Sequence, residues 1–226
     1  MKIALIPARG GSKRIPRKNL REFCGKPIIA YSICAALAAK MFDRVIVSTD
    51  DDAIAEAAVR YGAECPFNRP ADLATDNIGT LPVIRHAIEQ LDIVRSDSWL
   101  CCIYPTAPFV TSQALLAGWK EMESRGAMLA VSVAAYEYPV QRALRINERG
   151  TLEMLESERY HSRSQDLEDI YHDAGQFYWG RADVLMEVDA LLSDIAVPIV
   201  LPKYRVQDID TIEDWIRAEL MFKALQ

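Results

Sequence analysis

Short apolar runs recur along this chain, and they constrain its fold more than any other feature. A strand with one solvent face alternates apolar and polar residues, whereas a strand buried on both faces is apolar throughout. The runs here are continuous, and they occupy Lys2–Pro7, Arg44–Ser48, Trp99–Tyr104 and Ala127–Val133. They therefore predict a parallel sheet that is covered by helices on both faces. Two later segments, Ala174–Gly180 and Ile195–Pro202, are expected to add further strands.

Apolar residues spaced three and four positions apart lie between these runs and predict amphipathic helices. One such helix groups Leu81, Ile84, Ile88 and Leu91 on one face. A closing helix is expected to bury a face made of Ile212, Trp215, Ile216 and Leu220. The alternation of strands and helices predicts the fold class, a doubly wound, mostly parallel α/β sheet of the Rossmann-like kind.

One stretch, Tyr136–His172, breaks this rhythm. It is polar, strand-prone in places, and carries a turn signal at Glu148–Gly150. We interpret it as a small excursion that protrudes from the sheet, not as a separate domain. A chain of 226 residues suits one α/β domain, so we expect residues 1–226 to form a single domain.

Composition excludes several classes of function. The formal net charge of -6 argues against a protein that binds nucleic acid or a membrane surface, because such binding needs a broad basic face. No apolar run is long enough to span a bilayer, and the first strand pattern has no signal peptide ahead of it. The five cysteines are odd in number and form no C-x-x-C pair, so we expect a cytoplasmic protein without a disulfide framework or zinc site.

The segment IPARGGSKRIPRKN (Ile6–Asn19) concentrates positive charge directly after the first predicted strand. Open α/β sheets bind ligands outside the carboxyl ends of their strands, so this loop lies where a ligand is expected. Gly10 and Gly11 would let backbone N–H groups approach an anion. Arg9 could clamp phosphate oxygens, and Lys18 could act as a point charge. The pattern matches neither a Walker A loop nor a dinucleotide fingerprint. The alternative is a solvated basic loop.

Two carboxylates near the end of the chain, Asp208 and Asp210, stand two positions apart. In an extended segment such residues point to the same side, so both could face one hard cation. Magnesium prefers oxygen ligands and typically takes one or two carboxylates together with substrate phosphates. The alternative is structural: Asp210 could cap the closing helix, with Glu213 as its partner in a capping box.

The opening segment resembles the signature of the CMP-sugar synthetases, the cytidylyltransferases that act on sialic acids and related nonulosonic acids. Further stretches follow in that family's order, over nearly the whole chain: Gly25–Ile33 (GKPIIAYSI), Val45–Asp51 (VIVSTDD), Tyr61–Pro70 (YGAECPFNRP), Tyr104–Phe109 (YPTAPF) and Gln207–Trp215 (QDIDTIEDW). Within the family, YPTAPF and Tyr171–Gly180 (YHDAGQFYWG) are most similar to the members that act on pseudaminic acid.

The resemblance implies that CTP binds the opening loop with Mg²⁺ on its phosphates. The anomeric hydroxyl of a nonulosonic acid then attacks the α-phosphorus, pyrophosphate leaves, and a CMP-sugar forms. Arg9 and Lys18 would be catalytic, and Asp208 and Asp210 would hold the metal. The implied nucleotide contacts are Ala8, Arg9, Gly10, Gly11, Ser12, Lys18, Asn19, Arg69, Thr80 and Tyr104. The family also implies a homodimer that is joined through the excursion.

Several of these residues have a second interpretation. Sialic acid synthetases often have Gln where this chain has Tyr104, so either Tyr104 stacks on the cytosine or the backbone reads the base. Thr80 could instead cap a helix, and Arg69 could be a surface arginine. Asp173 and Gln176 are assigned to the sugar, with a loop before an edge strand as the alternative.

The predicted function is transfer of CMP to pseudaminic acid. N-acetylneuraminic acid and legionaminic acid are the alternative acceptors. A non-enzymatic alternative is a nucleotide-binding sensor with the same fold. Loss of Lys18, or of the pair Asp208 and Asp210, would mark such a sensor, and all three residues are present.

Overall fold

The predicted apolar runs lie in strands of one sheet in the computed structural model, which describes residues 1–94 and 97–226. The described residues form ten strands: β1 (Lys2–Pro7), β2 (Glu22–Phe23), β3 (Lys26–Pro27), β4 (Arg44–Ser48), β5 (Trp99–Ile103), β6 (Leu129–Ala135), β7 (Leu144–Ile146), β8 (Leu152–Met154), β9 (Tyr171–Arg181) and β10 (Ala196–Val200). β2 pairs with β3, β7 pairs with β8, and the other six strands form the main sheet.

The same residues form six α-helices: α1 (Ile29–Ala38), α2 (Asp52–Arg60), α3 (Thr80–Gln90), α4 (Ser112–Ser124), α5 (Ala182–Glu187) and α6 (Ile212–Ala224). In the part of the chain that is described, no helix has the length and apolar character needed to cross a membrane.

The main sheet has the strand order β10-β6-β9-β5-β1-β4. β1 is parallel to both β4 and β5, and β10 is parallel to β6. β9 is the exception, because it runs antiparallel to both of its neighbours, β5 and β6. The predicted α/β class with a mostly parallel sheet is therefore confirmed, and one reversed strand near its centre makes the sheet mixed.

Helices cover both faces of this sheet. In β1, Ile3 and Leu5 pack on the face covered by α3 and α5. Ala4 and Ile6 pack on the opposite face, under α1, α2 and α4. Because both faces are covered, residues on both sides of the strand are apolar, which explains the continuous runs in the sequence. The parallel strands β1, β4 and β5 lie side by side and end at one edge of the sheet, where the opening loop begins.

The closing helix α6 packs away from the sheet, over a small third core that contains Ile15, Phe23 and Ile209. The predicted buried face is wrong except at Trp215, which is 2% exposed. The other three residues of that face lie in solvent: Ile212, Ile216 and Leu220. The buried residues of the helix are Trp215 and Ala218. The helix carries apolar residues on several of its sides, so their spacing alone does not select the side that meets the core.

The excursion leaves the sheet after β6 and contains the hairpin β7–β8. Its predicted turn is confirmed, since Gly150 has a φ of 74° and its N–H donates to the Asn147 carbonyl. Tyr171 and His172 lie in β9, opposite Ala135 and Ala134 of β6, so the excursion ends two residues earlier than predicted. The hairpin exposes apolar side chains on both strands: Leu144, Ile146 and Leu152.

Candidate active site

A cavity of about 420 Å³ opens at the carboxyl ends of β1 and β5. It lies between the opening loop, the segment before α3, and the segment before α6. Its lining brings together eight of the predicted site residues: Arg9, Ser12, Lys18, Asn19, Arg69, Thr80, Tyr104 and Asp210. Six others lie outside this lining: Ala8, Gly10, Gly11, Asp173, Gln176 and Asp208.

The opening loop is held by its backbone at the end of β1. Ala8 is buried, and its N–H donates to the Ser48 carbonyl at 2.9 Å. The Gly10 N–H donates to the Asp50 carboxylate at 3.0 Å, so in this structure a side chain accepts from the amide that was predicted to face an anion. A Cβ on Gly10 would lie 2.8 Å from an oxygen of Asp51. The loop packs so closely against the start of α2 that this position requires glycine.

Lys18 joins the opening loop to the segment before α6. Its Nζ donates to the Ile209 carbonyl at 2.6 Å and lies 3.5 Å from Asp210 Oδ1. Arg14 pairs with the other oxygen of Asp210 at 2.9 Å. Asn19 is buried, and its side-chain amide donates to the Arg9 carbonyl, which fixes the curve of the loop. A cation and a carboxylate from distant parts of the chain are thus fixed at one side of the cavity.

Asp208 and Asp210 flank the buried side chain of Ile209. Partial burial raises the pKa of the Asp208 carboxyl, and the negative charge of Asp210 raises it further, while Lys18 opposes both effects. The described residues contain no group of three or more His, Cys, Asp or Glu side chains arranged to hold a metal ion. Asp208 and Asp210 nevertheless supply carboxylate oxygens, which suit a hard cation whose other ligands are phosphates.

The alternative role of Asp210 as a helix cap is wrong. Thr211 caps α6, and its partner in the capping box is Asp214. Each of the two predicted cap residues is therefore one position too early. The capping is complete without Asp210, so its carboxylate is available for the cations of the opening loop.

Asp76 holds two cations at the other side of the cavity. Its Oδ1 lies 2.7 Å from Arg9, and its Oδ2 lies 2.5 Å from Lys13. Sequence reasoning missed this residue because a single acid in a loop carries no local signal, and only the tertiary fold brings it to the opening loop.

Arg69 is buried, so its interpretation as a surface arginine is wrong. Its guanidinium donates to the Ser48 hydroxyl at 3.1 Å and to the Ser48 carbonyl. Burial lowers the pKa of Arg69 to about 10, and the nearby Asp50 partly offsets this shift. The group therefore stays protonated at neutral pH and contributes a fixed positive charge to the floor of the cavity.

Thr80 and Tyr104 form part of the cavity wall and share a hydrogen bond of 2.7 Å between their hydroxyls. The interpretation of Thr80 as a helix cap is wrong, because Gly79 is the cap of α3 and Thr80 is its first residue. The Tyr104 ring lies 5.3 Å from the ring of Tyr178, which comes from β9. Tyr178 in turn donates to Asp173 at 2.6 Å, so these polar groups continue beyond the first cavity.

A second cavity of about 360 Å³ lies on the other side of this wall. Thr80 and Tyr104 line both cavities, and Asp173 and Tyr178 line the second one. Burial, and then the neighbouring Tyr104 and the charge of Asp173, raise the pKa of Tyr178, so its hydroxyl keeps its proton. Tyr178 was missed in the sequence because an apolar strand pattern surrounds it. The lining also contains Asp189 and several apolar side chains, among them Leu81, Pro82, Leu191 and Leu192.

The sequence profile of the family described as cytidylyltransferase matches residues 3–197. The chain belongs to the cytidylyltransferase family. This cytidylyltransferase is 41% identical to a pseudaminic acid cytidylyltransferase of Campylobacter jejuni, over 98% of this chain and 96% of the relative. It is 34% identical to a CMP-N,N'-diacetyllegionaminic acid synthase of Legionella pneumophila, over 99% of this chain and 97% of the relative.

A solved CMP:2-keto-3-deoxy-manno-octonic acid synthetase, complexed with CTP, has the same fold as this cytidylyltransferase. The two superpose with a TM-score of 0.71 at 17% identity, over 100% of this chain and 99% of the solved one. At that identity the likeness describes the fold alone, so the roles of individual residues depend on the geometry of this chain.

The first cavity of the cytidylyltransferase is cationic although the whole chain is acidic. Two carboxylates, Asp76 and Asp210, face a larger set of cations in its lining: Arg9, Lys13, Arg14, Lys18 and Arg69. A cleft lined by one sign of charge attracts and orients ligands of the opposite sign. Gln176 lies apart from both cavities, since it is buried and its amide donates to the Arg205 carbonyl.

Proposed function

We propose that this cytidylyltransferase transfers CMP from CTP to the anomeric hydroxyl of pseudaminic acid. The sugar oxygen forms a bond to the α-phosphorus and loses its proton to water, the bond between the α-phosphorus and its bridging oxygen breaks, and pyrophosphate leaves with those electrons. The observation that carries the proposal is the cationic cavity at the end of β1, in a chain that is 41% identical to a pseudaminic acid cytidylyltransferase.

The cations of the first cavity are assigned to the triphosphate. Lys18 is the central group, because its side chain is only 19% exposed and Ile209 and Asp210 hold it in place. Arg9 lies across the cavity and adds a second positive charge. Nucleotidyl transfer depends mainly on in-line placement and on neutralising the charge that develops on the leaving phosphates. Both residues act by binding and orienting the phosphates and by stabilising pyrophosphate as it leaves.

The nucleoside is assigned to the inner part of the same cavity. Asn19, Arg69, Thr80, Tyr104 and Ser12 line this cavity, and Asn19 and Arg69 are buried. Ala8, Gly10 and Gly11 were also predicted to contact the nucleotide, but the N–H groups of Ala8 and Gly10 already donate to the Ser48 carbonyl and the Asp50 carboxylate, which gives these two assignments no support. The Tyr104 hydroxyl is already bonded to Thr80, which supports stacking or edge contact by its ring as its role towards the base.

Asp208 and Asp210 are assigned to Mg²⁺. Their carboxylates supply two of the oxygen ligands that this ion prefers, and phosphate oxygens would complete its coordination. When bound there, the ion would neutralise phosphate charge during the transfer. Lys18 and Arg14 contact Asp210 and so hold its carboxylate towards the cavity.

The sugar is assigned to the second cavity. Asp173 can accept hydrogen bonds from hydroxyl or acylamino N–H groups there, and the apolar lining suits the methyl groups of acylamino substituents. Because Thr80 and Tyr104 line both cavities, the cavities adjoin, and a sugar in the second would approach the nucleotide where the two cavities meet. Gln176 was also predicted to contact the sugar, but its contact with Arg205 gives this assignment no support.

A homodimer is part of the proposal, and the excursion is its proposed contact surface. The exposed apolar side chains of β7 and β8 support this assignment, because patches of this kind mark interaction sites on soluble proteins. We also propose a cytoplasmic enzyme, which the five unpaired cysteines support.

The test is pyrophosphate release from CTP and Mg²⁺, with pseudaminic, legionaminic or N-acetylneuraminic acid as acceptor. Release that is fastest with pseudaminic acid supports the proposal. Faster release with either other acid would keep the reaction and replace the acceptor, and the legionaminic arm matters because of the relative in Legionella pneumophila. A folded protein that binds CTP but is silent with all three acids would point to another nonulosonic acid as acceptor or to a nucleotide sensor.

A further inference from the structure

One acidic side chain faces the cations of the nucleotide cavity from the segment between Arg69 and α3. That segment forms a short 3-10 helix over Ala71–Ala74 and continues as a loop until α3 begins at Thr80. Leu73, Thr75 and Asp76 from it line the cavity. Asp76 uses its two carboxylate oxygens separately, one towards Arg9 and one towards Lys13.

This arrangement matches the way a phosphate group binds to two cations. A carboxylate and a phosphate both offer paired oxygens to an arginine, and Asp76 bridges Arg9 and Lys13 as two phosphate oxygens would. Lys13, and then Arg9, lower the pKa of the Asp76 carboxyl, so it is ionised at neutral pH. An anionic ligand and Asp76 therefore require the same two cations.

The ion pairs of Asp76 with Arg9 and Lys13 can also be replaced by contacts to a ligand. The Lys13 side chain is 81% exposed, and Asp76 and Arg9 are each about one third exposed. Exposed ion pairs are weak and are readily replaced by a ligand of higher charge. By contrast, Lys18 on the other side of the cavity is largely buried and also bonded to a carbonyl.

We propose that Asp76 is an internal competitor for the phosphates of the nucleotide and that it sets how tightly phosphate ligands are held. It pairs with Arg9 and Lys13 until a polyphosphate displaces it, and it takes the cations back when pyrophosphate leaves. This inference rests on the proposed function, which assigns Arg9 to the triphosphate. Asp76 thereby weakens the binding of CTP and pyrophosphate and favours release of the product.

A purely positioning role for Asp76 makes the opposite prediction. If Asp76 served only to hold Arg9 in the correct place, then its removal would let Arg9 move and would weaken phosphate binding. The direction of the change in affinity therefore distinguishes the two roles.

The experiment measures binding of pyrophosphate, CTP and cytidine by calorimetry, in magnesium-free buffer, to the wild type and to Asp76→Asn. We expect Asp76→Asn to bind pyrophosphate and CTP roughly three- to tenfold more tightly, which is the size of effect that two exposed ion pairs supply. Cytidine, which has no phosphate, should bind equally to both proteins. Equal or weaker binding of pyrophosphate by Asp76→Asn overturns the inference.

Asp72→Asn is the matched control, because Asp72 lies in the same segment but does not line the cavity. Its carboxylate accepts a hydrogen bond from the Leu73 N–H. It should bind all three ligands as the wild type does. Asp76→Glu keeps the charge and should restore wild-type affinity. The pyrophosphate arm tests the inference alone, whereas a wild type that binds pyrophosphate but not CTP would contradict the proposed function.

A second measurement uses the wild type only, so it does not depend on whether a variant folds. Pyrophosphate should release the segment from the opening loop and speed amide hydrogen exchange between residues 72 and 79. Unchanged or slower exchange there overturns the inference.

Discussion

The opening loop and the excursion are both exposed, but they differ in where their side chains find partners. Four cations of the loop form ion pairs with Asp76 and Asp210, which come from other parts of the same chain. In the excursion, apolar side chains such as Ile146 and Leu152 are 74% and 70% exposed. The charges of the loop are therefore paired within one chain, whereas apolar side chains of the excursion are left uncovered by the described residues.

Lys18→Ala tests the loop side of this comparison and should have the largest effect. We expect kcat/KM to fall roughly a hundred- to a thousandfold, as when one preorganised electrostatic contact is removed from an active site. Steady-state pyrophosphate release measures the loss, and thermal unfolding measures any change in stability. Lys120→Ala, an exposed residue of α4, is the control and should be neutral. Near-normal turnover in Lys18→Ala would contradict the role in phosphate binding.

The double variant Asp208→Ala with Asp210→Ala tests whether the carboxylates act together. We expect turnover to fall roughly a hundredfold and to lose its dependence on Mg²⁺, because the oxygen ligands are gone. A magnesium titration of the reaction rate provides the measurement. Glu213→Gln is a suitable control, since the Glu213 side chain is 86% exposed. Magnesium-stimulated turnover that survives in the double variant would refute the metal assignment.

Ile146→Lys with Leu152→Lys tests the excursion side. Lysine at these positions would bury less apolar area in a dimer contact than Ile146 and Leu152 do, so self-association should weaken roughly tenfold or more. Analytical ultracentrifugation measures this change over a range of concentrations. The free energy of unfolding of one protomer should change by less than about 0.5 kcal/mol, because both positions are exposed. Val59→Lys, at an exposed site on α2, is the control. An unchanged association constant would exclude the hairpin as the contact surface.

Tyr104→Phe should have the smallest effect and sharpens the comparison within the site itself. It keeps the ring beside Tyr178 but loses the hydrogen bond to Thr80. We expect KM for CTP or the sugar to rise roughly three- to tenfold, the usual size for one buried hydrogen bond. Thr80→Val removes the same bond, so the two changes together should cost little more than either alone. Fully additive effects would indicate that the two hydroxyls act separately.

Much of the fold was predictable from sequence because burial on both faces leaves a direct pattern. β1 and β4 have the bounds that their apolar runs predicted. The direction of β9 was not predictable, since an apolar strand looks the same in either orientation. The face of α6 was mispredicted for a related reason: Ile216 and Trp215 are both apolar, and only the third core decides which one is buried.

The candidate site was predictable where a motif is local. Arg9, Lys18 and Asn19 stand in one segment, and the structure brings them to one cavity. Asp76 and Tyr178 were missed because their importance comes from residues that lie far away in the sequence. A surface position stayed open as the alternative for Arg69 for the same reason, since its partner Ser48 lies in β4, far away in the sequence.

The reversed strand β9 has a consequence for how the protein is made. It lies between β5 and β6, which pair with it and not with each other. While the nascent chain is still on the ribosome, β5 and β6 therefore keep open edges until Arg181 has emerged. Unpaired edges are sites of aggregation, so the sheet depends on a late-synthesised segment to close its centre. Truncation before β9 would also remove β10, so β5, β1 and β4 would remain as a three-stranded sheet and β6 would have no partner strand.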